Sequence, residues 1–194
     1  MNLARSALII FVKEPIAGKV KTRLAATLGD RAAVEVYNRL LSHTDTITRE
    51  FDRFVFFSGN KDGFTQFRTG VWHRQSGGDL GVRMLNAFKQ VFSTGYEKVV
   101  IIGSDCAELK TEVVETAFEA LNDDVIVLGP ALDGGYYLLG MTSVHESLFT
   151  GMAWSTDSVA AETRKRAISV GLDVHELPTL GDIDTEKDLK ASGW

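Results

Sequence analysis

A few short stretches of this sequence gather the residue types that handle phosphate, cation and hydroxyl chemistry, and most of them follow directly on an apolar run. The first is Lys13-Glu14-Pro15-Ile16-Ala17-Gly18-Lys19-Val20-Lys21-Thr22-Arg23-Leu24, where Lys13, Lys19, Lys21 and Arg23 face a lone acid, Glu14. Gly18 lets the backbone approach an anion closely, and free amides beside cations stabilise phosphate. Lys21-Thr22 resembles the end of a P-loop, but that motif needs glycine directly before its lysine, and Val20 stands there. A solvated basic loop is the alternative for this segment. The second stretch is Gly103-Ser104-Asp105-Cys106. Asp105 is suited to a hard cation such as Mg2+ or Mn2+, which takes oxygen ligands and substrate phosphates; it can equally cap a turn. Cys106 has no histidine near it in sequence and reads as a small buried residue, not a nucleophile.

The third stretch runs from Gly129 to Gly140 and contains Asp133-Gly134-Gly135-Tyr136-Tyr137. Asp-Gly is a strong hairpin signal, and such a turn can also admit a sugar or phosphate. Tyr136 and Tyr137 fall on opposite faces if they lie on a strand. The fourth is Asp182-Ile183-Asp184-Thr185, whose spaced carboxylates can converge on a cation or simply cap a helix. Its letters imitate a phosphatase nucleophile motif, but that motif follows a first strand and this one lies near the C-terminus. Trp154-Ser155-Thr156-Asp157 is a weaker candidate, with the tryptophan read as core and the rest as a helix cap. The four histidines have no metal-ligand spacing.

The elements that must position these residues alternate. Short apolar strands are expected over Ser6–Val12, Arg53–Phe57, Val71–Arg74, Lys98–Gly103, Val125–Leu128, Tyr136–Gly140 and Asp173–Leu177. Helical periodicity covers Arg31–Phe51, Leu80–Phe92, Thr111–Leu121 with Thr111 as its cap, Ser158–Val170, and Thr185–Ala191 with Asp188 placed for a capping box. The few residues between the strands at Val125 and Tyr136 cannot make a parallel crossover, so one of the two runs antiparallel. The expectation is a three-layer α/β fold, Rossmann-like, whose mostly parallel sheet has one antiparallel strand. Ligands of such sheets bind beyond the carboxyl ends of the strands.

Composition sets the outer limits. A chain of 194 residues suits a single domain over 1–194. A net charge of −5 weighs against bulk nucleic-acid binding, which needs a basic face. No apolar run is long enough for a transmembrane helix, and Lys13-Glu14-Pro15 after the first apolar run does not look like a signal-peptide cleavage site. The single cysteine excludes an intrachain disulfide. A cytoplasmic location and a small-molecule partner are expected. The surplus of 18 glycines over 3 prolines concentrates at turns that follow strands.

Taken together and in order, KEPIAGKVKTRL, GGDLGVRM, GSDCAEL, GPALDGGYYLLG, WST and DIDTEKDL resemble a bacterial family known as selenodomain-associated transferases. That family lies within the nucleotide-diphospho-sugar transferase (glycosyltransferase-A-like) superfamily. More distant kinship is to the phospholactate and molybdenum-cofactor guanylyltransferases. The resemblance covers almost the whole chain. It implies nucleotide binding over the loop after the first strand, with Lys13, Gly18, Lys19, Lys21, Thr22, Arg23, Gly78 and Asp79 on the phosphate side. It implies a divalent metal at Asp105, completed by the stretch matching Asp182 and Asp184. Ala107 stands where the family usually has proline, and Asp105 is single where many sugar transferases carry an Asp-x-Asp pair. Two chemistries stay open here. In transfer from a nucleotide-diphospho-sugar, Asp133 serves as base within an acceptor site of Asp133, Gly134, Gly135 and Tyr136. In nucleotidyl transfer from a nucleoside triphosphate, Lys19, Lys21 and Arg23 stabilise charge on the phosphates, with Lys21 in a catalytic role. A non-catalytic nucleotide-binding domain is the third expectation.

Overall fold

Alternation along the first strand decides where the layers go. The computed structural model describes residues 5–194. In β1 (Ser6–Lys13), Leu8, Ile10 and Val12 enter one apolar cluster while Ala7 and Ile9 enter another on the opposite face. That is the period-2 pattern of a strand buried on both sides. After β1 come α1 (Thr22–Leu28), α2 (Asp30–Ile47), β2 (Arg53–Ser58), β3 (Val71–Arg74), α3 (Leu80–Phe92), β4 (Lys98–Ile102) and α4 (Thr111–Ala120). The chain continues through β5 (Val125–Pro130), β6 (Tyr136–Met141), α5 (Val159–Ser169), β7 (Asp173–Glu176) and α6 (Glu186–Ala191).

The strands form one sheet in the order β3-β2-β1-β4-β6-β5-β7. Only β6 is reversed; it pairs antiparallel with both β4 and β5, and every other pairing is parallel. This is the expected α/β class with its one antiparallel strand. Tyr37 and Leu41 of α2 and Val114 and Phe118 of α4 pack on one face. Met84 and Phe88 of α3 and Ala160 and Ala167 of α5 pack on the other. No helix among the described residues is long and apolar enough to cross a membrane.

Several local expectations need correction. A helix not expected from the sequence, α1, precedes the first helical stretch; Gly29 at φ 83° ends it and opens α2, which starts at Asp30. Helix α2 stops at Ile47, not Phe51. Thr111 does not cap α4: Lys110 holds the cap position, and the Thr111 hydroxyl donates to the Ile47 carbonyl. The capping box is present, with Thr185 and Asp188 bonded reciprocally.

Candidate functional site

The carboxyl ends of β1, β2 and β4 and the turn into β6 open onto a cleft of about 830 Å³. Because β6 is reversed, the β5–β6 hairpin turns at this same edge. A tight turn there needs a left-handed residue, and Gly134 supplies it at φ 87°. A Cβ at Gly134 would lie 2.0 Å from the Asp157 carbonyl oxygen, so only glycine fits. The Ala160 amide donates to the Gly134 carbonyl at 2.9 Å, which ties the start of α5 to the hairpin. Asp133 sits at the tip, where its Oδ1 accepts from the Gly135 amide at 2.9 Å.

The centre of the charged half is Lys21. Its Nζ lies 2.7 Å from Asp105 Oδ1 and 3.1 Å from Asp184 Oδ1, and its side chain is only 4% exposed. Lys21 holds the cap position of α1 in a left-handed conformation, φ 48°. Such a backbone is uncommon outside glycine, and it clusters at functional sites. Burial alone would lower the lysine pKa; Asp105 and Asp184 outweigh it and raise the value. Arg23, largely exposed, lies 3.8 Å from Asp184 Oδ2.

Around this pair the carboxylates crowd. Burial first, then Asp105 and Asp133, push the Asp182 carboxyl up to about 7, against the pull of Lys21. Tyr37 of α2 accepts from the Lys13 amide at 2.9 Å and lies 3.3 Å from Ser104 Oγ, so it fixes the start of the basic segment against the end of β4. Burial, reinforced by Asp105, drives its phenol pKa up. Cys106 is buried, and burial together with Asp182 pushes its thiol up to about 12. A thiol held neutral in this way is a poor nucleophile.

Donor chemistry decides whether these residues suit a hard divalent cation. Among the described residues, no three of His, Cys, Asp or Glu form a ready cage. Magnesium does not need one, since it takes one or two carboxylates and completes its shell with water and substrate phosphate. Burial is the main reason Asp182 is raised, and the neighbouring carboxylates Asp105, Asp133 and Asp184 add to it while Lys21 opposes them. The donor set therefore fits a cation of this class.

The other half of the cleft is apolar. Tyr136 and Trp154 meet edge to face at 6.5 Å, and Leu80 and Met84 of α3 line the same wall. Trp154 is half-buried and rests on Gly81, where a Cβ would come within 2.3 Å of its indole nitrogen. Tyr137 points to the opposite face, as the strand pattern requires, and bonds the Pro178 carbonyl.

Of the residues singled out from sequence, the cleft brings together Lys13, Arg23, Asp105, Asp133, Gly135, Tyr136, Asp182 and Asp184. Lys21 stands directly behind two of them. Gly18, Lys19, Thr22, Gly78 and Gly134 are not on its wall. Asp79 is also elsewhere, and its carboxylate caps α3 by accepting from the Val82 amide at 2.8 Å. Sequence reasoning passed over Tyr37, Ser58, Gln75 and Arg83, all of which line the cleft. Ser58 ends β2 and Gln75 follows β3, so the rule that ligands bind past strand ends pointed to both. Tyr37 carried no such signal, being one more apolar position of an amphipathic helix.

Comparison with other proteins agrees with this architecture. The family model for uncharacterized proteins conserved in bacteria, DUF2064, matches residues 43–156. Nothing among curated proteins matches the chain. The chain is similar to a crystal structure from Desulfovibrio desulfuricans G20, a protein provisionally assigned as a nucleotide-diphospho-sugar transferase. The two share 31% identity over 98% of this chain and 87% of that one, at a TM-score of 0.91. The fold alone is shared with a nucleotidyl transferase from Methanothermobacter, at 11% identity over 97% and 95% of the two chains and a TM-score of 0.61. It is shared likewise with the inositol-1-phosphate CTP transferase from T. maritima, at 15% identity over 98% and 93% and a TM-score of 0.54. The chain belongs to the DUF2064 family and is built on the fold of the nucleotide-diphospho-sugar transferases.

Proposed function

We propose that this protein transfers a sugar from a nucleotide-diphospho-sugar to a small-molecule acceptor, with a divalent cation as cofactor. The observation that carries this reading is the placement of Asp133 on the same cleft as Asp105, Asp182 and Asp184. Asp133 thereby stands on the hairpin, while Asp105 and Asp184 hold the cationic centre at Lys21. Lys13 and Arg23 bind the donor's diphosphate. Asp105, with Asp182 or Asp184, holds Mg2+ or Mn2+, and that ion when bound neutralises the departing diphosphate. Asp133 takes the proton of the acceptor hydroxyl as its oxygen bonds to the anomeric carbon. The bond from that carbon to the diphosphate oxygen breaks, and the nucleoside diphosphate leaves with the electron pair. The apolar wall of Tyr136 and Trp154 excludes water, which would otherwise compete as acceptor.

Nucleotidyl transfer is the second reading. Its support is Arg83, which adds a further cation to Lys13 and Arg23 on the cleft wall. Against it, Lys21 is already committed to two carboxylates, and Lys19 lies off the wall. The basic segment thus offers fewer free cations than its sequence suggests.

Incubation with UDP-, GDP-, ADP- and CDP-sugars plus Mn2+ tests the proposal. Release of nucleoside diphosphate that is lost in Asp133→Asn supports sugar transfer. Pyrophosphate release from nucleoside triphosphates in place of that activity supports nucleotidyl transfer. Nucleotide binding without turnover of either substrate class supports a non-catalytic domain.

A further inference from the structure

Beyond the phosphate and acceptor ends, the cleft reaches a third group of polar residues at the carboxyl ends of β1, β2 and β3. Lys13 and Ser58 are register partners in the β1–β2 ladder. The β2–β3 ladder continues past Phe57 and Arg74, because the Gln75 amide donates to the Phe57 carbonyl at 2.9 Å. Lys13, Ser58 and Gln75 therefore form one row across the sheet edge, with the charge at one end and neutral polar groups at the other. All three line the cleft.

The carboxamide of Gln75 is fixed by chemistry. Its Nε2 donates to the Val12 carbonyl at 3.2 Å and to the Phe56 carbonyl at 3.0 Å. Both partners only accept, so the nitrogen must face them and a flipped amide would set oxygen against oxygen. Both amide hydrogens are thus used. Oε1 is left without a protein partner among the described residues, and it is not one of the buried unpaired atoms. It is a rigid acceptor on a residue that lines the cleft.

We infer that Gln75 reads the nucleobase of the donor, its Oε1 accepting a hydrogen bond from an exocyclic amine of adenine, cytosine or guanine. The inference rests on the nucleotide-donor reading above. A fixed acceptor with no donor to offer suits an amine-bearing edge. Uracil meets it poorly, because its only edge N–H lies between two carbonyls that want donors. Sites built around a fixed polar group reject ligands that leave that group unpaired.

The test is titration calorimetry of ADP, GDP, CDP and UDP, with inorganic pyrophosphate as the phosphate-only probe. The wild-type protein should bind at least one amine-bearing diphosphate about tenfold more tightly than UDP. Gln75→Leu should shrink that ratio to below about threefold and leave pyrophosphate binding unchanged. Should Gln75→Leu fail to fold, the wild-type protein answers the same question with analogues lacking the amine. Purine riboside diphosphate replaces ADP, IDP replaces GDP, and the 4-deamino analogue replaces CDP, each with an expected loss of about tenfold. UDP as the tightest ligand, or a ratio that survives Gln75→Leu or the analogues, overturns the inference. If pyrophosphate binds and no nucleoside diphosphate binds better, base reading fails while the phosphate site stands. If nothing binds, the nucleotide-donor reading fails and this inference falls with it.

Discussion

Lys21→Met is the sharpest probe of the charged centre. Methionine replaces the lysine stem up to the atom that carries the ammonium and, like lysine, has a Cβ, so the left-handed backbone at φ 48° is strained to a similar degree in both. What changes is the charge. Removing one partner of a fully buried ion pair costs about 3–5 kcal/mol. Here the lysine side chain is 4% exposed, but Asp105 and Asp184 are 45% and 43% exposed. Water can rehydrate the stranded carboxylates and screen their interaction, which brings the expected loss to about 2 kcal/mol. For a chain of this size that is a fall of about 4–8 °C in Tm. The same substitution removes the ammonium that competes with a divalent cation for the two carboxylates. Manganese should therefore raise the Tm of Lys21→Met by more than it raises that of the wild-type protein, since ligand-linked stabilisation grows with concentration over Kd. Thermal melts with and without manganese read both effects. A variant that melts with the wild-type protein and responds identically to manganese refutes the reasoning.

Asp182 gives a pH signature. Its carboxyl is held up at about 7 in the fold, against 3.8 in the open chain. Between those values the native state keeps a proton that the unfolded chain has released, so stability should fall as pH rises through this window. Denaturant titrations at several pH values should show the slope, and Asp182→Asn should flatten it. Gly134→Ala combines a positive φ with a contact to the Asp157 carbonyl and should lose about 3 kcal/mol in urea unfolding. Gly171→Ala, also at positive φ but with open space around it, is the strain-only control and should lose about 1 kcal/mol. Tyr37→Phe removes the acceptor of the Lys13 amide. It should cost about 1 kcal/mol and speed hydrogen exchange at that amide.

Local chemistry made much of the fold legible. Lys98–Ile102 is a buried strand because five residues, four of them Val or Ile, leave no polar face to solvate. Asp133-Gly134 announced its hairpin, and the reversal of β6 follows from the shortness of that connection. Helix α1 was not legible, because its seven residues, Thr22–Leu28, are too few to show the apolar periodicity that marked the stretch from Arg31. The site divides in the same way. Asp105 and Asp133 could be named from their positions after strands. The partnership of Lys21 with Asp184 spans 163 residues and leaves no mark in either local sequence. Charge counting along Lys13–Arg23 therefore could not show that Lys21 pairs with two carboxylates. Gln75 was hidden for a different reason, since its role depends on which carbonyls consume its hydrogens.

The bond from the Ala160 amide to the Gly134 carbonyl has a bearing on how the molecule can be altered. It makes the hairpin tip and the start of α5 a single mechanical piece, which also touches α3 through Tyr136 and Met84. Gln75, Ser58 and Lys13 belong to the opposite piece, carried by β1, β2 and β3. Free-energy changes introduced in one piece should then add to those in the other, because the two share no direct partner. Under the proposed transfer, specificity for donor and for acceptor becomes separable. The hairpin and its attached turn could be exchanged for those of a relative without resetting the row at the far end of the sheet.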